Sequence, residues 1–578
     1  MRMSEQFHRE IDPYLANLAD LRRRAWPEAV GRTVDYPFGE STVTHYLRSW
    51  ASERPDHAAI VYHGRTVTYA ELDRASDRVA AYLVHRGFAP GDRAAVMMPN
   101  CPQFIIAFFG ILKAGGVHVP VNPMFRREEI NYELLDSAAT FAFILDEVAT
   151  EFRAGGEGTD VAEVIASANT DFLPDGADLP RGMVADAPVT PDTTRFLSVV
   201  DRDDLPVPAD PDDPHALAAL NYTGGTTGMP KGCEHTQADM LYTAVSGGQF
   251  GFGGGPDTVS LVFVPVFWIA GEDAFLVSVM TGGTCVLHYR WDAEEVLRSI
   301  DAYGVTAMAG TVDSYLELLD TAKGSGLSLA SMKSPVTMSF VTKLTVEIRE
   351  RWARETGAPG IIRESSYGMT EDHTLDTFTL GLQQDDADLK GRPGFTGIPI
   401  PGTEVAIVDF QSGELLPVGE EGQIIVRSPS MMRGYHNRPD ATAETLRDGW
   451  LHTGDIGMVD ETGALHYLGR TKEMLKVNGM SVFPSELEHL FSRHPRIAAC
   501  GVIGIADPKK GQVPVAYVQL EPGAASEVTA DDLLAWCRDH MATYKIPRVE
   551  IIDEMPLAPT GKVSKVGLEK LASSIAPQ

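Results

Sequence analysis

Short apolar segments alternate with segments of helical periodicity from residue 42 onwards, and this alternation limits the chain to a small set of folds. Residues 58–62 and 92–98 have the length and apolar character of buried strands, whereas residues 70–86 repeat apolar side chains at helical spacing. Strands that alternate with helices predict a parallel, doubly wound sheet. The pattern resumes over residues 260–310, so we expect two such sheets.

The chain has 578 residues, which is too long for one hydrophobic core. Residues 152–215 are poor in pattern and rich in Asp, Pro and Gly, so we expect a surface excursion there. Residues 402–469 change to short strands separated by turns, which predicts a small β-rich subdomain. We predict an α/β protein with a large N-terminal domain, residues 1–469, and a small mobile α+β C-terminal domain, residues 470–578, with a hinge near residues 470–472.

The composition argues against several classes of protein. The 80 acidic residues outnumber the 49 basic residues, and a formal net charge of −31 should repel nucleic acid and anionic membranes. The five cysteines have no C-x-x-C spacing, which argues against a disulfide framework or a zinc site. Aspartate runs at residues 201–204, 210–213 and 385–388 are expected to be solvated loops.

The N-terminus lacks the apolar core of a signal peptide, and the longest apolar run, residues 104–112, is far shorter than a membrane span. Core packing explains that run better than a cofactor site. We therefore predict a cytoplasmic protein with no integral membrane segment and no nucleic-acid partner. Homo-oligomer formation stays open.

A glycine- and threonine-rich stretch, residues 222–232, follows the apolar run at residues 216–220. Glycines let successive backbone N–H groups converge on an anion, and threonine hydroxyls add further donors. The stretch differs from the common Gly-Lys phosphate loop because Pro230 precedes Lys231. Alone, such a loop is equally compatible with a plain connection. As a phosphate cradle it offers Thr223, Gly224, Gly225, Thr226, Thr227, Gly228 and Lys231.

This stretch closely resembles the phosphate-binding loop of the adenylate-forming acyl-CoA synthetase superfamily, which also includes peptide-synthetase adenylation domains and beetle luciferases. The usual family form has Ser where this chain has Gly224. The resemblance covers about residues 42 to 567 and is greatest to bacterial fatty-acid-type acyl-CoA ligases. Further stretches match family motifs in the family's order, at residues 366–371, 449–455, 469–488 and 559–565.

The resemblance implies roles for the residues that would contact the nucleotide. Tyr367 would stack on adenine, Gly368 lies beside it, and Thr370 would reach the α-phosphate. Glu371 would hold Mg²⁺, since a carboxylate beside a polyphosphate makes sense mainly through a hard divalent cation. Asp455 would accept hydrogen bonds from the ribose hydroxyls.

The same resemblance assigns roles around the hinge. Arg470 would meet the ribose or a phosphate, and Lys472 would be the pivot. Lys476 counts among the cofactor-binding residues, and Gly479 would line the approach of the thiol. Lys562 would be the mobile lysine of the C-terminal motif. The implied catalytic residues are Lys562, Lys231, Thr226, Arg470 and Lys472.

The implied reaction uses ATP, Mg²⁺ and coenzyme A and activates a small-molecule carboxylic acid. A carboxylate oxygen attacks the α-phosphorus, pyrophosphate leaves, and lysines and Mg²⁺ stabilise the developing negative charge. The C-terminal domain then swings about Lys472, which withdraws Lys562 and brings in the Gly479 segment. The coenzyme A thiolate attacks the acyl carbon, and AMP leaves.

The sequence departs from the family pattern in two places. At Phe267-Trp268 the family usually has Phe-His, and Trp268 fills more volume near the acyl pocket. At Thr236-Gln237 a Thr-His pair is common, and we assign no consequence to this change. The mixture of an aromatic pair with small residues favours a small to medium, mostly apolar acid. The expected pocket residues are Phe267, Trp268, Gly310, Thr311, Ser365 and Ser366.

Three hypotheses remain at this stage, and an acyl-CoA ligase leads. The nearest alternative is an adenylating enzyme with a different acceptor: a separate carrier protein, an amine, or nitrite-dependent diazotisation. A catalytically silent sensor is the third. It predicts the loss of functional residues, but Lys231, Glu371, Asp455 and Lys562 are all present.

Overall fold

The computed structural model describes residues 3–223, 229–477, 480–507, 511–524, 528–541, 543, 545–558 and 561–575. Its described strands form four sheets, with helices in the connections between them. The predicted α/β fold class is therefore confirmed. Within the described residues, no helix is both long and apolar enough to cross a membrane.

The elements follow one another along the chain. The first group is α1 Glu5–Ala25, α2 Val43–Glu53, β1 Ala58–Tyr62, β2 Arg65–Thr68, α3 Tyr69–His85, β3 Arg93–Met97, α4 Pro102–Lys113, β4 Val117–Pro120, α5 Arg127–Ser137, β5 Phe141–Leu145, α6 Ala149–Gly155, β6 Glu163–Ser167, β7 Thr194–Arg195 and α7 Phe196–Val200. The second group is β8 Leu217–Tyr222, β9 Gly232–Thr236, α8 Gln237–Ser246, β10 Val259–Val262, α9 Ile269–Met280, β11 Thr284–Leu287, α10 Ala293–Tyr303, β12 Ala307–Thr311, α11 Val312–Ala322, β13 Ser334–Met338, α12 Val346–Thr356 and β14 Arg363–Glu364.

The remaining elements include many short antiparallel strands. The third group is β15 Thr377–Phe378, α13 Ala387–Lys390, β16 Phe395–Pro399, β17 Glu404–Val408, β18 Gly422–Arg427, α14 Pro439–Thr445, β19 Leu446–Arg447, β20 Trp450–Val459 and β21 Leu465–Arg470. The fourth group is β22 Leu475–Val477, β23 Met480–Val482, α15 Pro484–Phe491, β24 Ile497–Asp507, β25 Gly511–Leu520, α16 Ala530–His540, β26 Arg548–Ile551 and α17 Lys565–Ile575. Short 3₁₀ turns lie at Thr370–Asp372 and Thr471–Glu473.

Polar N-caps fix where several helices begin. At α3, Glu71 N–H donates to Thr68 Oγ1 at 3.2 Å, and Thr68 N–H donates to the Glu71 carboxylate at 2.9 Å. At α10, Asp292 accepts hydrogen bonds from the N–H groups of Glu294 and Glu295. Such caps satisfy amides that the first helical turn leaves unpaired. The local sequence therefore sets the direction in which the chain leaves the preceding strand.

Two sheets consist of parallel strands with one antiparallel hairpin at an edge. The first has the order β14-β13-β12-β10-β11-β1-β2, and the second has the order β7-β6-β5-β3-β4-β8-β9. The hairpins pair β1 with β2 and β8 with β9. The prediction of two doubly wound sheets is confirmed. Ligands of such sheets bind beyond the carboxyl ends of the strands, which is where the loop after β8 and the stretch at residues 366–371 after β14 lie.

The core between these two sheets contains α4, whose residues are all buried. Phe104 and Phe108 pack edge-on against Phe275 of α9. Lys113 at the end of α4 is 1% exposed, and its ammonium group lies 2.6 Å from Asp73 Oδ1 and 2.8 Å from Asp77 Oδ1. Core packing therefore explains this apolar run, as predicted.

The expectation of a surface excursion over residues 152–215 was wrong in part. Strand β6 lies within it and pairs in parallel with β5 through five register positions. Ile165, Ala166 and Ser167 of this strand are buried. The strand escaped detection because its apolar segment is short and its neighbours are rich in Asp, Pro and Gly.

The last two sheets contain the rest of the strands. The antiparallel third sheet has the order β15-β16-β21-β20-β18-β17, so it begins at Thr377 rather than near residue 402. The fourth sheet contains β22 to β26. The chain passes from the third sheet to the fourth through the single turn Thr471–Glu473.

Two of the aspartate runs are not simply solvated. Asp210 accepts two hydrogen bonds from Arg48, at 2.5 and 2.7 Å. Asp388 is 7% exposed and binds Arg349 through both carboxylate oxygens, at 2.9 and 2.6 Å. The arginines that pair with these carboxylates are far away in the sequence, so the local run of aspartates does not indicate them.

Candidate active site

The two ends of the glycine- and threonine-rich loop are held together. Thr223 N–H donates to Lys231 O at 3.0 Å, and Lys231 N–H donates to Thr223 Oγ1 at 3.3 Å. Tyr132 also donates its hydroxyl to Pro230 O at 2.7 Å. These contacts present the loop at the carboxyl end of β8. The intervening predicted residues, Gly224, Gly225, Thr226, Thr227 and Gly228, lie outside the described residues.

Tyr435 joins the predicted phosphate lysine to the predicted metal carboxylate. Lys231 Nζ lies 3.8 Å from the centroid of the Tyr435 ring, which is a cation–π contact. The Tyr435 hydroxyl donates to Glu371 Oε1 at 2.7 Å. Burial and the charge of Glu371 raise the pKa of Tyr435, so the hydroxyl stays protonated as a donor. Thr370, the residue before Glu371, begins the 3₁₀ turn Thr370–Asp372 that contains Glu371.

Glu371 has the donor chemistry that a magnesium ion requires. Its backbone carbonyl accepts a hydrogen bond from Met432 N–H at 2.8 Å. This bond holds the 3₁₀ turn against the segment that follows β18 of the third sheet. Carboxylate oxygens are the ligands that Mg²⁺ prefers, and a tyrosine hydroxyl bound to one of them orients the group. The residues present therefore fit the predicted cation.

Asp455 is held between Tyr367 and Arg470. The Tyr367 hydroxyl donates to Asp455 Oδ2 at 2.8 Å, and Arg470 Nε lies 2.9 Å from Asp455 Oδ1. Asp455 is 2% exposed, and burial raises its pKa to about 6, with the Arg470 charge opposing the rise. Arg470 forms an ion pair with Asp455 Oδ1, but among the described residues no group donates a well-directed hydrogen bond to this oxygen. This oxygen is an acceptor that fits a ligand hydroxyl.

Lys562 approaches this site from the C-terminal region. It lies in a hairpin tip closed by Ala558 N–H donating to Lys562 O at 2.7 Å. Its ammonium group lies 5.0 Å from the centroid of the Phe340 ring. Burial of the ammonium group lowers the pKa of Lys562, Arg470 adds to the decrease, and Asp455 opposes it. The residue as a whole is exposed, because its backbone is at a tip while its ammonium group faces the protein.

The remaining hinge residues are only partly described. Lys472 is exposed in the turn Thr471–Glu473. Lys476 lies in β22, where its backbone is opposite Ser481, and its side chain is not among the described parts. Gly479 lies outside the described residues.

The predicted acyl-pocket residues lie at the carboxyl edge of the first sheet. Gly310 and Thr311 end β12, and Gly310 is in register with Thr337 of β13, whose carbonyl accepts from Ser365 N–H at 2.7 Å. Ser366 follows directly and is half-buried. The edge thus brings four of the predicted positions together.

The aromatic pair of the predicted pocket follows β10, the neighbour of β12. The Phe267 and Trp268 ring centroids are 5.6 Å apart and steeply inclined. Trp268 is the residue directly before α9. In the first turn of this helix, a Cβ added to Gly271 would lie 2.0 Å from Pro265 O. Only glycine therefore permits the tight turn that presents the two rings. The sheet order places this pair beside the positions on β12.

The Thr236-Gln237 departure has a structural account. Thr236 Oγ1 accepts a hydrogen bond from Asp239 N–H at 3.2 Å, and Asp239 accepts from Thr236 N–H at 2.7 Å. Gln237 is 3% exposed, and its amide oxygen accepts from Thr44 N–H at 3.4 Å. These contacts fix the start of α8 and its packing against α2.

Sequence reasoning missed several residues around Glu371. Tyr435 reaches the site through an isolated bridge with Cys233, which no sequence spacing indicates. His235 Nε2 lies 2.7 Å from Thr370 O, and its ring packs edge-on against His373. The backbone is left-handed over three consecutive residues, His373 (φ 57°), Thr374 (φ 60°) and Leu375 (φ 70°). Such strain is typical of functional segments.

Two family models match the chain. The model described as AMP-binding enzyme matches residues 47–436, and the model described as AMP-binding enzyme C-terminal domain matches residues 486–562. A long-chain-fatty-acid–CoA ligase of Bacillus subtilis is 31% identical, over 92% of this chain and 94% of the relative. A feruloyl-CoA synthase of an Amycolatopsis species is 32% identical, over 90% and 97%.

Solved structures of related enzymes share the fold. An anthranilate CoA ligase in complex with anthranoyl-AMP has a TM-score of 0.78 and 25% identity, over 92% of this chain and 98% of that chain. The o-succinylbenzoate CoA synthetase of Bacillus subtilis with its acyl-adenylate intermediate has a TM-score of 0.73 and 27% identity, over 91% and 97%. The chain therefore belongs to the AMP-binding enzyme family, the adenylate-forming superfamily of the acyl-CoA synthetases.

Proposed function

We propose that this chain is an ATP-dependent acyl-CoA ligase that forms an acyl-adenylate and transfers the acyl group to coenzyme A. The observation that carries the proposal is the pair of the buried Asp455 with Arg470, 2.9 Å apart and within electrostatic range of Lys562, in a chain whose relatives are CoA ligases. A lysine brought by a separate segment to a buried carboxylate–arginine pair suits adenylate formation. A sensor that only binds nucleotide has no need of it.

The nucleotide binds across the carboxyl edge of the sheets. Tyr367 stacks on adenine, and Asp455 accepts the ribose hydroxyls while its second oxygen is held by the Tyr367 hydroxyl. The N–H groups and hydroxyls of the loop from Thr223 to Lys231 surround the phosphates. Thr370, whose carbonyl is fixed by His235, contacts the α-phosphate.

Glu371 is the proposed ligand of Mg²⁺, which neutralises phosphate charge when bound. Lys231 and Lys562 place positive charge near the α-phosphorus, where negative charge develops as the carboxylate attacks. Lys231 is steadied over the Tyr435 ring, so its position is defined before the substrate arrives. In-line placement of the acid and the leaving pyrophosphate supplies much of the remaining rate enhancement.

The domain boundary that fits this chemistry lies at residues 470–472, where the chain passes from the third sheet to the fourth. Lys472, in the connecting turn, is the pivot. Rotation about it withdraws Lys562 and brings the segment containing Gly479 and Lys476 to the site, where the thiolate attacks the acyl carbon.

The proposed substrate is a small to medium, mostly apolar carboxylic acid. Support comes from the aromatic pair Phe267 and Trp268, which follows β10, and from the small residues Gly310 and Thr311 at the end of the neighbouring strand β12. The relatives' acids include long-chain fatty acids and ferulate, so chain length is the property to measure first.

The test is pyrophosphate release over a panel of fatty and aromatic acids with ATP and Mg²⁺, with and without coenzyme A. Mass spectrometry of the products should find an acyl-CoA thioester and AMP in equal amounts for the accepted acid. If an adenylate accumulates that coenzyme A neither consumes nor accelerates, the acceptor is a carrier protein, an amine or nitrite, and the ligase proposal fails.

A further inference from the structure

His63, His288 and Glu295 form a cluster away from the nucleotide motifs. One potential ligand atom from each lies within 4.8 Å of the other two. His63 is in the turn between β1 and β2, His288 directly follows β11, and Glu295 is in the first turn of α10. Register pairs such as Tyr62 with Leu287 hold the turn beside the end of β11. The fold therefore fixes all three side chains at one edge of the first sheet.

The chemistry of His288 suits a metal ligand. It is 3% exposed, and its Nε2 lies 3.0 Å from the Oγ of Ser299, which is in helix α10. In the described part of the chain, no group makes a hydrogen bond to His288 Nδ1, although this atom is buried. A hydrogen bond that holds one imidazole nitrogen while the other keeps a free lone pair is typical of a metal-bound histidine. An orphaned buried nitrogen is otherwise costly.

His63 and Glu295 complete the set of ligands. His63 Nδ1 lies 3.6 Å from Glu295 Oε2, and the rings of His63 and His288 are 5.3 Å apart, steeply inclined. Tyr289 N–H donates to His63 Nε2 at a long 3.3 Å. Coordination through Nδ1 needs the tautomer with its proton on Nε2, so the long contact in which Nε2 accepts from Tyr289 N–H must break when a cation binds.

Charged groups of both signs lie near the cluster: Asp292 and Arg298 are within electrostatic range of Glu295. The Tyr62 hydroxyl is buried without a hydrogen bond among the described residues, and Glu147 and Glu295 are within its electrostatic range. Asp292 caps the helix that carries Glu295.

We propose that His63, His288 and Glu295 bind a first-row divalent cation, Zn²⁺ in the first instance, as a structural clamp at the edge of the first sheet. Two imidazoles and one carboxylate suit Zn²⁺, whereas Mg²⁺ and Ca²⁺ prefer sets of oxygen ligands. The bound ion would join the β1–β2 turn, the end of β11 and the start of α10. It is separate from the ion proposed at Glu371.

The test uses the tag-free full chain, stripped with a chelator and titrated with Zn²⁺ alone. We expect one tightly bound Zn²⁺ per chain that is retained in Glu371→Gln. His63→Ala and His288→Ala should each weaken binding by more than about 100-fold, and Ser299→Ala by about 10-fold. His85→Ala, which removes an exposed histidine at the end of α3, is the matched control and should leave affinity unchanged.

Cobalt substitution gives an independent readout on the unmodified chain. Co²⁺ should produce the visible absorption of a four-coordinate site, and added Zn²⁺ should abolish it. His288→Gln provides a variant of similar polarity if His288→Ala does not fold, as judged by circular dichroism. Zn²⁺ binding that is equal in the wild type and in a folded His63→Ala/His288→Gln variant overturns the proposal, as does a wild type that binds no Zn²⁺.

Discussion

Arg470 Nε lies 2.9 Å from Asp455 Oδ1, and the two residues are register partners on neighbouring strands. The carboxylate proposed to hold the ribose is thus joined to the first residue of the proposed hinge, residues 470–472. Lys562 lies within the electrostatic influence of both. This relationship connects nucleotide binding to the position of the C-terminal region, because any rotation beyond Arg470 changes the field at Asp455.

The first prediction concerns the pH dependence of nucleotide binding. Asp455 has a pKa raised from 3.8 to about 6 by burial, so it is protonated below about pH 6 and then cannot accept both ribose hydroxyls. Affinity for a non-titrating acyl-sulfamoyl-adenosine should therefore fall as the pH drops through about 6, as calorimetry can measure. In Asp455→Asn the affinity should be low and independent of pH in this range. A wild-type affinity that is constant from pH 5 to pH 8 would contradict this role.

The sequence predicted more of the fold than of the contacts. Strand β1 and helix α3 lie where the patterns at residues 58–62 and 70–86 placed them, because each has a continuous local pattern. Strand β6 was missed because its three buried residues give too short a signal. The ribose-binding candidate Asp455 and the catalytic candidate Lys562 came from motif resemblance. Tyr435 did not, because it meets Lys231 and Glu371 only through long-range packing.

Two buried charged residues show the same limit of sequence-based prediction. Lys113 looks like the polar end of an apolar helix, yet its ammonium group is enclosed by Asp73 and Asp77 of α3. Asp388 looks like part of a solvated run, yet Arg349 binds both of its oxygens. A sequence records which charges exist, and only the tertiary packing shows which of them meet.

The second prediction separates the role of the Tyr435 ring from the role of its hydroxyl. Tyr435→Phe keeps the ring beneath Lys231 but removes the hydroxyl that orients Glu371, so the Mg²⁺ concentration for half-maximal adenylation should rise by about 10-fold. Steady-state rates over a Mg²⁺ titration measure it. Tyr132→Phe is the control, since its hydroxyl holds Pro230 of the same loop without contacting Glu371. An unchanged Mg²⁺ requirement in Tyr435→Phe would argue against Glu371 as the metal ligand.

The third prediction concerns acid selection. Trp268→Ala removes a large ring beside Phe267, so the ratio of kcat/KM for a longer acid to that for a shorter acid should rise by about 10-fold. Competition between the two acids in one reaction measures this ratio directly. Trp268→Phe should change it less, because most of the volume remains. If all acids lose activity in parallel, Trp268 supports the fold and does not select the acid.

The fourth prediction separates the two half-reactions. Lys562→Ala should reduce adenylate formation by more than about 100-fold, because the lysine supplies charge that is needed only while pyrophosphate leaves. Thioester formation from preformed acyl-adenylate and coenzyme A should stay near the wild-type rate, since the proposed rotation withdraws Lys562 before that step. Equal loss in both half-reactions would contradict an alternating C-terminal domain.

The pH profile of the first half-reaction provides a further check on Lys562. Burial lowers the pKa of its ammonium group, so adenylation should decline on the alkaline side below the ordinary lysine pKa of 10.5. Lys562→Arg should retain its charge to higher pH, and its alkaline decline should move upward.

The most direct test of the central claim is acid-dependent exchange of labelled pyrophosphate into ATP. The account predicts exchange that requires Mg²⁺ and an accepted carboxylic acid, proceeds without coenzyme A, and is lost in Lys562→Ala. Coenzyme A should then convert the same acid to its thioester. Exchange that occurs without any acid, or that persists undiminished in Lys562→Ala, would contradict the assignment of this site as an adenylate-forming centre.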